Sequence, residues 1–163
     1  MRFERVVVDA SPLICLFRCG LQGLLAQLWN DVAVPEAVWQ EVINGPPDDR
    51  ATTGLVSAHW ARRVSVAVVP PVVAGWDLGW GESEVLTFAL QNAGYCAIVD
   101  DGEARRCART LGIPRLGTGG VLVIAKRRGL IPSLSEALDD LLRSGLWLSG
   151  TIVALLKKQA GES

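Results

Sequence analysis

The sequence predicts an α/β protein, a three-layer α/β/α sandwich around a central, mainly parallel, twisted sheet. Three observations lead there. Strand-like and helix-like segments alternate along most of the chain, which is the pattern of a parallel sheet with helices on both faces. The β-branched run Val6, Val7, Val8 has no polar alternation, as expected of a strand buried on both faces. Acids stand where two strands end, at Asp9 and at the pair Asp100 and Asp101, and in such sheets functional groups gather outside the carboxyl ends of the strands.

The elements follow in order. The first strand covers 6–8 and stops at Asp9, after which Ser11 is placed to cap a helix starting at Pro12. Periodicity predicts a helix over 21–29, a strand over 31–34 and a helix over 36–43. The proline- and acid-rich stretch Asn44 to Arg50 reads as a surface loop in which Asp48 and Asp49 are solvated. A strand over 64–68, a helix over 82–92 and a strand over 96–100 come next, followed by helices over 103–111, 119–128, 134–143 and 150–158. The last two form a helical tail over 133–159.

The chain has 163 residues, enough for one domain with a sizeable core. Half of its residues are hydrophobic, its mean hydropathy is +0.30, and no run reaches the ~18–20 apolar residues of a membrane span. Apolar surface beyond what one core hides marks an interface, so a homodimer or a bound partner protein is expected, and six tryptophans favour the same expectation. Net charge is -1, yet Arg105, Arg106, Arg109, Arg115, Lys126, Arg127 and Arg128 crowd one stretch, where a local basic patch can hold a polyanion. Taken alone, these arginines are equally a solvated helical surface. Cysteines 15, 19, 96 and 107 form no CxxC pair and His59 is the only histidine, which argues against structural zinc. Cys96 and Cys107 read as buried thiols of a reducing, cytoplasmic setting. The first residues do not read as a signal peptide, because Asp9 and Pro12 interrupt the apolar stretch.

Asp9 and the Asp100–Asp101 pair end different strands and are expected to be neighbours, although an acid after a strand is also a common helix N-cap. Two glutamates join them on helical geometry. In PEAVWQEV the apolar arc runs through Val34, Ala37, Val38 and Val42, with Glu41 in its middle and Glu36 opposite. In GESEVLTFALQNA the arc through Val85, Leu86, Ala89, Leu90 and Ala93 centres on Glu82, while Glu84 projects toward Thr87 and Gln91 on the polar side. Inward-facing carboxylates are costly unless paired, and Glu82 gains in addition from the dipole of a helix start. Converging acids with no histidine or lysine among them need protonation or a cation, and oxygen-only ligands suit Mg²⁺ or Mn²⁺. Such an ion activates water and stabilises charge on a phosphate, which fits phosphodiester hydrolysis best.

The ordered motifs DASPLI, VPEAVWQEV, GESEVLTFA, IVDDGEAR and LGIPRLGTGGVLVIAKRRGLI resemble the PIN-domain family, and within it the prokaryotic branch related to VapC-type toxins. The resemblance covers about residues 5–150. It implies that Asp9, Glu41, Glu82 and Asp101, with Asp100 a close second to Asp101, bind one or two divalent ions and activate water for RNA cleavage. It implies further a toxin paired with a cognate antitoxin protein. Glu82 takes the third position because Ala89 stands seven residues on, where the family has a small residue. It departs from the family in being Glu rather than Asp, a longer side chain that loosens the metal geometry and lowers the expected catalytic efficiency. Ser11 is a candidate for a metal-bound water or phosphate. Thr118, in GTGG, is a candidate to present backbone N–H groups to a phosphate or to cap a helix, and Arg105 to hold the substrate backbone or neutralise the acids. Two other readings compete. One is a catalytically weak PIN-fold module binding nucleic acid or protein. The other is a phosphoacceptor receiver domain, which fits poorly because Lys126 reads as helical.

Overall fold

The computed structural model describes residues 3–162. Five strands form one all-parallel sheet in the order β3-β2-β1-β4-β5: β1 (Arg5–Val8), β2 (Asp31–Pro35), β3 (Ala61–Val64), β4 (Tyr95–Ile98) and β5 (Arg115–Leu116). Parallel neighbours need a crossover, and each connection carries helix: α1 (Ala10–Arg18) and α2 (Gly23–Leu28) before β2, α3 (Glu36–Ile43) and α4 (Arg50–Gly54) before β3. They continue with α5 (Pro71–Ala74) and α6 (Trp80–Gln91) before β4, and α7 (Gly102–Thr110) before β5. Then α8 (Thr118–Arg127), α9 (Leu134–Ser144) and α10 (Gly150–Gln159) complete the three-layer α/β/α sandwich. No helix among the described residues is long and apolar enough to cross a membrane.

The three interior strands β2, β1 and β4 explain the unalternating valines. Val6, Val7, Val8, Ala33, Val34, Ala97 and Ile98 have no exposed surface, because helices cover both faces of the sheet. Chain order reverses between β1 and β4: β1 leads outward to β2 and β3 on one side, then the chain returns to lay β4 on the other. The crevice outside the carboxyl ends of β1 and β4 is therefore the topological switch point of the sheet.

Four expectations change. The third strand lies at Ala61–Val64, not 64–68, because its only partner among the described residues ends at Pro35, opposite Val64, and the valines that follow have no described strand to pair with. Its charged residues are those of an edge strand, with Arg62 paired to Asp31 at 2.8 Å and Arg63 to Glu36. Asp49 is not a solvated loop acid: it accepts from the Ala51 N–H to cap α4 and binds Arg18, whose Nη1 also donates to the Ser144 carbonyl. The first helix starts at Ala10, capped by Asp9, so Ser11 is an exposed residue within α1 rather than its cap. Strand β5 and helices α4 and α5 carry too few residues to show a period. Cys96 and Cys107 are buried thiols, and burial pushes the Cys96 thiol up to about 12.

Candidate active site

The end of β1 delivers Asp9 into the switch-point crevice, where its own N–H donates to the Ile98 carbonyl of β4 at 3.1 Å. The side chain is buried, and its Oδ1 accepts from the Ala10 N–H at 2.8 Å. Burial, with Glu82, Glu41 and Asp100 nearby, pushes its carboxyl up to about 7, against the lowering effect of the Ala10 N–H. Glu82 is half-buried and also raised, by burial first and then by Asp101 and Glu41, while the Gly79 N–H it accepts at 3.1 Å opposes the rise. The structure thus brings Asp9 into electrostatic reach of Glu82, Glu41 and Asp100, and Glu82 into reach of Glu41 and Asp101.

How so much like charge is tolerated becomes plain from the hydrogen bonds. Asp9 caps α1, Glu82 caps the start of α6, Asp101 caps α7 through the Ala104 N–H at 3.0 Å, and Asp100 grips the start of α8. Four helix N-termini, each with a partial positive charge and free N–H groups, point at the same crevice. None of the five acids is in an ion pair among the described residues.

Individual placements refine the expectations. Glu41 is exposed, not enclosed in the apolar face: Val38 and Val42 beside it are buried, and its carboxylate reaches past them to the open mouth of the crevice. Glu84 is not on a solvated face. It is half-buried and accepts from the Ala37 N–H at 2.9 Å, tying α6 to the start of α3, and Thr87, on the side expected to be polar, has no exposed surface. Asp101 is exposed, whereas Asp100 is half-buried and uses both oxygens on Thr118. Thr118 is fully buried, so its N–H and hydroxyl are committed to Asp100 rather than open to a phosphate. Arg105 donates from Nη1 to the Val99 carbonyl at 3.3 Å. Its guanidinium borders the same gap as Asp100, since a Cβ on Gly117 would stand 2.8 Å from Arg105 Nη1 and 3.2 Å from Asp100 Oδ1.

Two residues had no sequence signal pointing to the site. Gly81 lies against it: a Cβ there would meet Val38 Cγ2 at 3.2 Å, Asp9 Oδ1 at 3.3 Å and Glu41 Oε1 at 3.9 Å, so the missing side chain leaves room between two carboxylates. Trp80, just before Gly81, leaves 80% of its surface exposed at the start of α6. A lone glycine in a helix start reads as punctuation, and a tryptophan in a greasy chain reads as core.

Among the described residues no three His, Cys, Asp or Glu side chains already close around one point tightly enough for an ion. The donor set fits a divalent ion nonetheless. It is oxygen-only, it includes a buried carboxyl held near neutrality with no counter-cation, and it flanks the Cβ-sized gap left by Gly81.

Fold and site define the class: an α/β protein with helix-capped acids at the switch point of a parallel sheet. A family profile described as the PIN domain matches residues 5–162, and the chain belongs to the PIN-domain family. PIN domains are typically nucleases and generally use divalent metals. A search of curated proteins found no match.

Proposed function

We propose that this protein is a divalent-metal-dependent ribonuclease, the toxin component of a toxin–antitoxin pair. The observation that carries the reading is Asp9, a buried carboxyl raised to about 7 among uncompensated acids. Asp9, Glu41, Glu82 and Asp101 would hold Mg²⁺ or Mn²⁺, with Asp100 behind Asp101. A bound ion lowers the pKa of water and stabilises charge on the phosphate that the water attacks. Asp9 Oδ1 accepts from the Ala10 N–H, so Oδ2 is the oxygen that would carry the carboxyl proton and would give it up to make room for a cation. Glu82 is oriented by the Gly79 N–H and Asp101 by the Ala104 N–H, so each presents one oxygen from a rigid helix start. Asp100 holds α8 in place behind them, and the exposed Trp80 face is suited to stacking a base. The partner half of the proposal is supported by exposed Trp147, Ile152 and Leu155 around α10, a helix with no buried residue, where an antitoxin or a second copy would dock.

A specific observation favours a second reading. Four of the five acids already serve as helix caps, which is also what a binding module with a silent site would show. Cleavage of a mixed pool of single-stranded and structured RNAs, with Mn²⁺, Mg²⁺ or chelator, separates the two. Metal-dependent cleavage that is lost in Asp9→Asn supports the ribonuclease. No cleavage by well-folded protein, together with no Asp9-dependent Mn²⁺ binding, leaves the binding module.

A further inference from the structure

Arginines on α7 and β5 line a cleft of about 210 Å³ whose walls are Gly102, Arg105, Arg106, Arg109 and Arg115. Arg105, Arg106 and Arg109 fall on one side of α7 at helical spacing, and Arg115 faces them from the edge strand. Only Arg106 has a carboxylate partner among the described residues, Glu103 at 2.7 Å. Arg105, Arg109 and Arg115 are in no ion pair among the described residues, and while Arg105 has Asp100 across the Gly117 gap, Arg109 and Arg115 gather positive charge at the outer end of the cleft with no carboxylate bound to it. Guanidiniums that line one hollow repel one another unless an anion joins them, and their planar forks match phosphate oxygens.

The position of the cleft selects the anion. Gly102, in its wall, directly follows Asp101, and Arg105 borders the gap beside Asp100. The hollow thus opens from the acid crevice and runs down α7 toward the sheet edge, where β5 has no further strand beyond it. An isolated phosphate would need one such group, whereas a row leading away from an acidic centre suits successive phosphates of one strand.

We infer that the α7–β5 cleft is a phosphate-binding track that holds the backbone of the RNA strand on one side of the scissile bond, with Arg109 and Arg115 as its outer contacts. The inference rests on the reading of RNA as substrate, but not on catalysis.

The test is binding of a fluorescent single-stranded oligoribonucleotide in EDTA across a salt series. Wild type is compared with Arg109→Gln/Arg115→Gln and with a control of equal charge change, Arg143→Gln/Lys158→Gln, at exposed sites away from the cleft. Single-strand binding has a salt slope of about -0.7 per phosphate contact. The cleft variant should lose roughly tenfold in affinity and flatten the slope by about 1.4, with an unchanged thermal midpoint, while the control stays near wild type. Equal affinity and slope in the two variants would overturn the track. So would arginine-dependent binding of inorganic pyrophosphate without any arginine-dependent binding of RNA, which would mark a small-anion site. Asp9-dependent cleavage with arginine-independent binding sinks the track and spares the nuclease. Arginine-dependent binding without cleavage does the reverse.

Discussion

Asp100 holds Thr118 with both carboxylate oxygens: Oδ1 accepts the backbone N–H at 2.8 Å and Oδ2 the hydroxyl at 2.6 Å. The pair fastens the start of α8 to the end of β4, directly beside the acid crevice. Thr118 has no exposed surface, so a hydroxyl released there finds no water. Asp100→Ala should cost about 2–3 kcal/mol in chemical denaturation, and Thr118→Val about 1 kcal/mol. The double variant should lose less than the sum, and a coupling energy near zero in the double-mutant cycle would dissolve the link.

Acidity should move the stability of the metal-free protein in an unusual direction. Asp9 has an ordinary value of 3.8 when unfolded and about 7 when folded, so between these values the native state binds the proton more tightly. Its contribution is complete below pH 3.8 and is lost as pH rises through about 7. Raised Glu82 acts in the same sense. Glu36, held down to about 2 by Arg63, and Asp49, held down by Arg18, act oppositely, but only at lower pH. The thermal midpoint in EDTA should therefore fall between pH 5 and 8, Asp9→Asn should flatten that fall, and Mn²⁺ at pH 8 should restore the lost stability in wild type alone. A midpoint that rises from pH 5 to 8 in EDTA would contradict the assignment.

Gly81→Ala tests the space between Asp9 and Glu41. The helix gains at most about 1 kcal/mol of propensity from Ala, less at this first-turn position than in a helix interior, while the new methyl crowds Val38 Cγ2 at 3.2 Å and Asp9 Oδ1 at 3.3 Å. The expected result is near-native stability with Mn²⁺ affinity down roughly tenfold, about 1.4 kcal/mol. Calorimetric titration that finds wild-type affinity would show that the gap is not part of the ion site.

Glu162 closes the start of α9 by accepting from Leu134 N–H at 2.7 Å, Ser135 N–H at 3.0 Å and Ser135 hydroxyl at 2.8 Å, with Lys126 3.5 Å away. These donors pull its carboxyl down to about 2. Glu162→Gln should lower the midpoint at pH 7 and speed hydrogen exchange at Leu134 and Ser135. The difference should shrink as pH falls from 4.5 toward 2, because the lowered carboxyl loses its advantage in that window.

What the sequence showed and what it hid divide along a physical line. Val6 to Val8 and the acids after them were legible, because a strand buried on both faces is uniformly apolar and a strand end is where polarity returns. Glu82 was legible from a helical wheel because its neighbours one turn away, Val85 and Leu86, are core. The same wheel misplaced Glu84, whose partner is the backbone of Ala37, 47 residues earlier. It also enclosed Glu41, which α3 carries to the rim, since a wheel gives direction but not how far the packing extends. Strand β3 slid because pairing with Pro35 sets its end, not its own valines. The union of four helix starts at one crevice could not be read at all, for it exists only once the strands are ordered.

That ordering has a consequence for how the protein comes into being. Strand β1 precedes the other described strands in the chain but lies in the middle of the sheet, paired through Arg5 with Tyr95 and through Val8 with Ile98. The Asp9 N–H is bonded to the Ile98 carbonyl of β4, so a nascent chain lacking β4 has this acid without that neighbour. Contacts this distant in sequence form slowly. The crevice therefore exists only once β1 and β4 have paired, and a ribosome making this protein would carry a chain without a formed site until the second half of the sheet emerges.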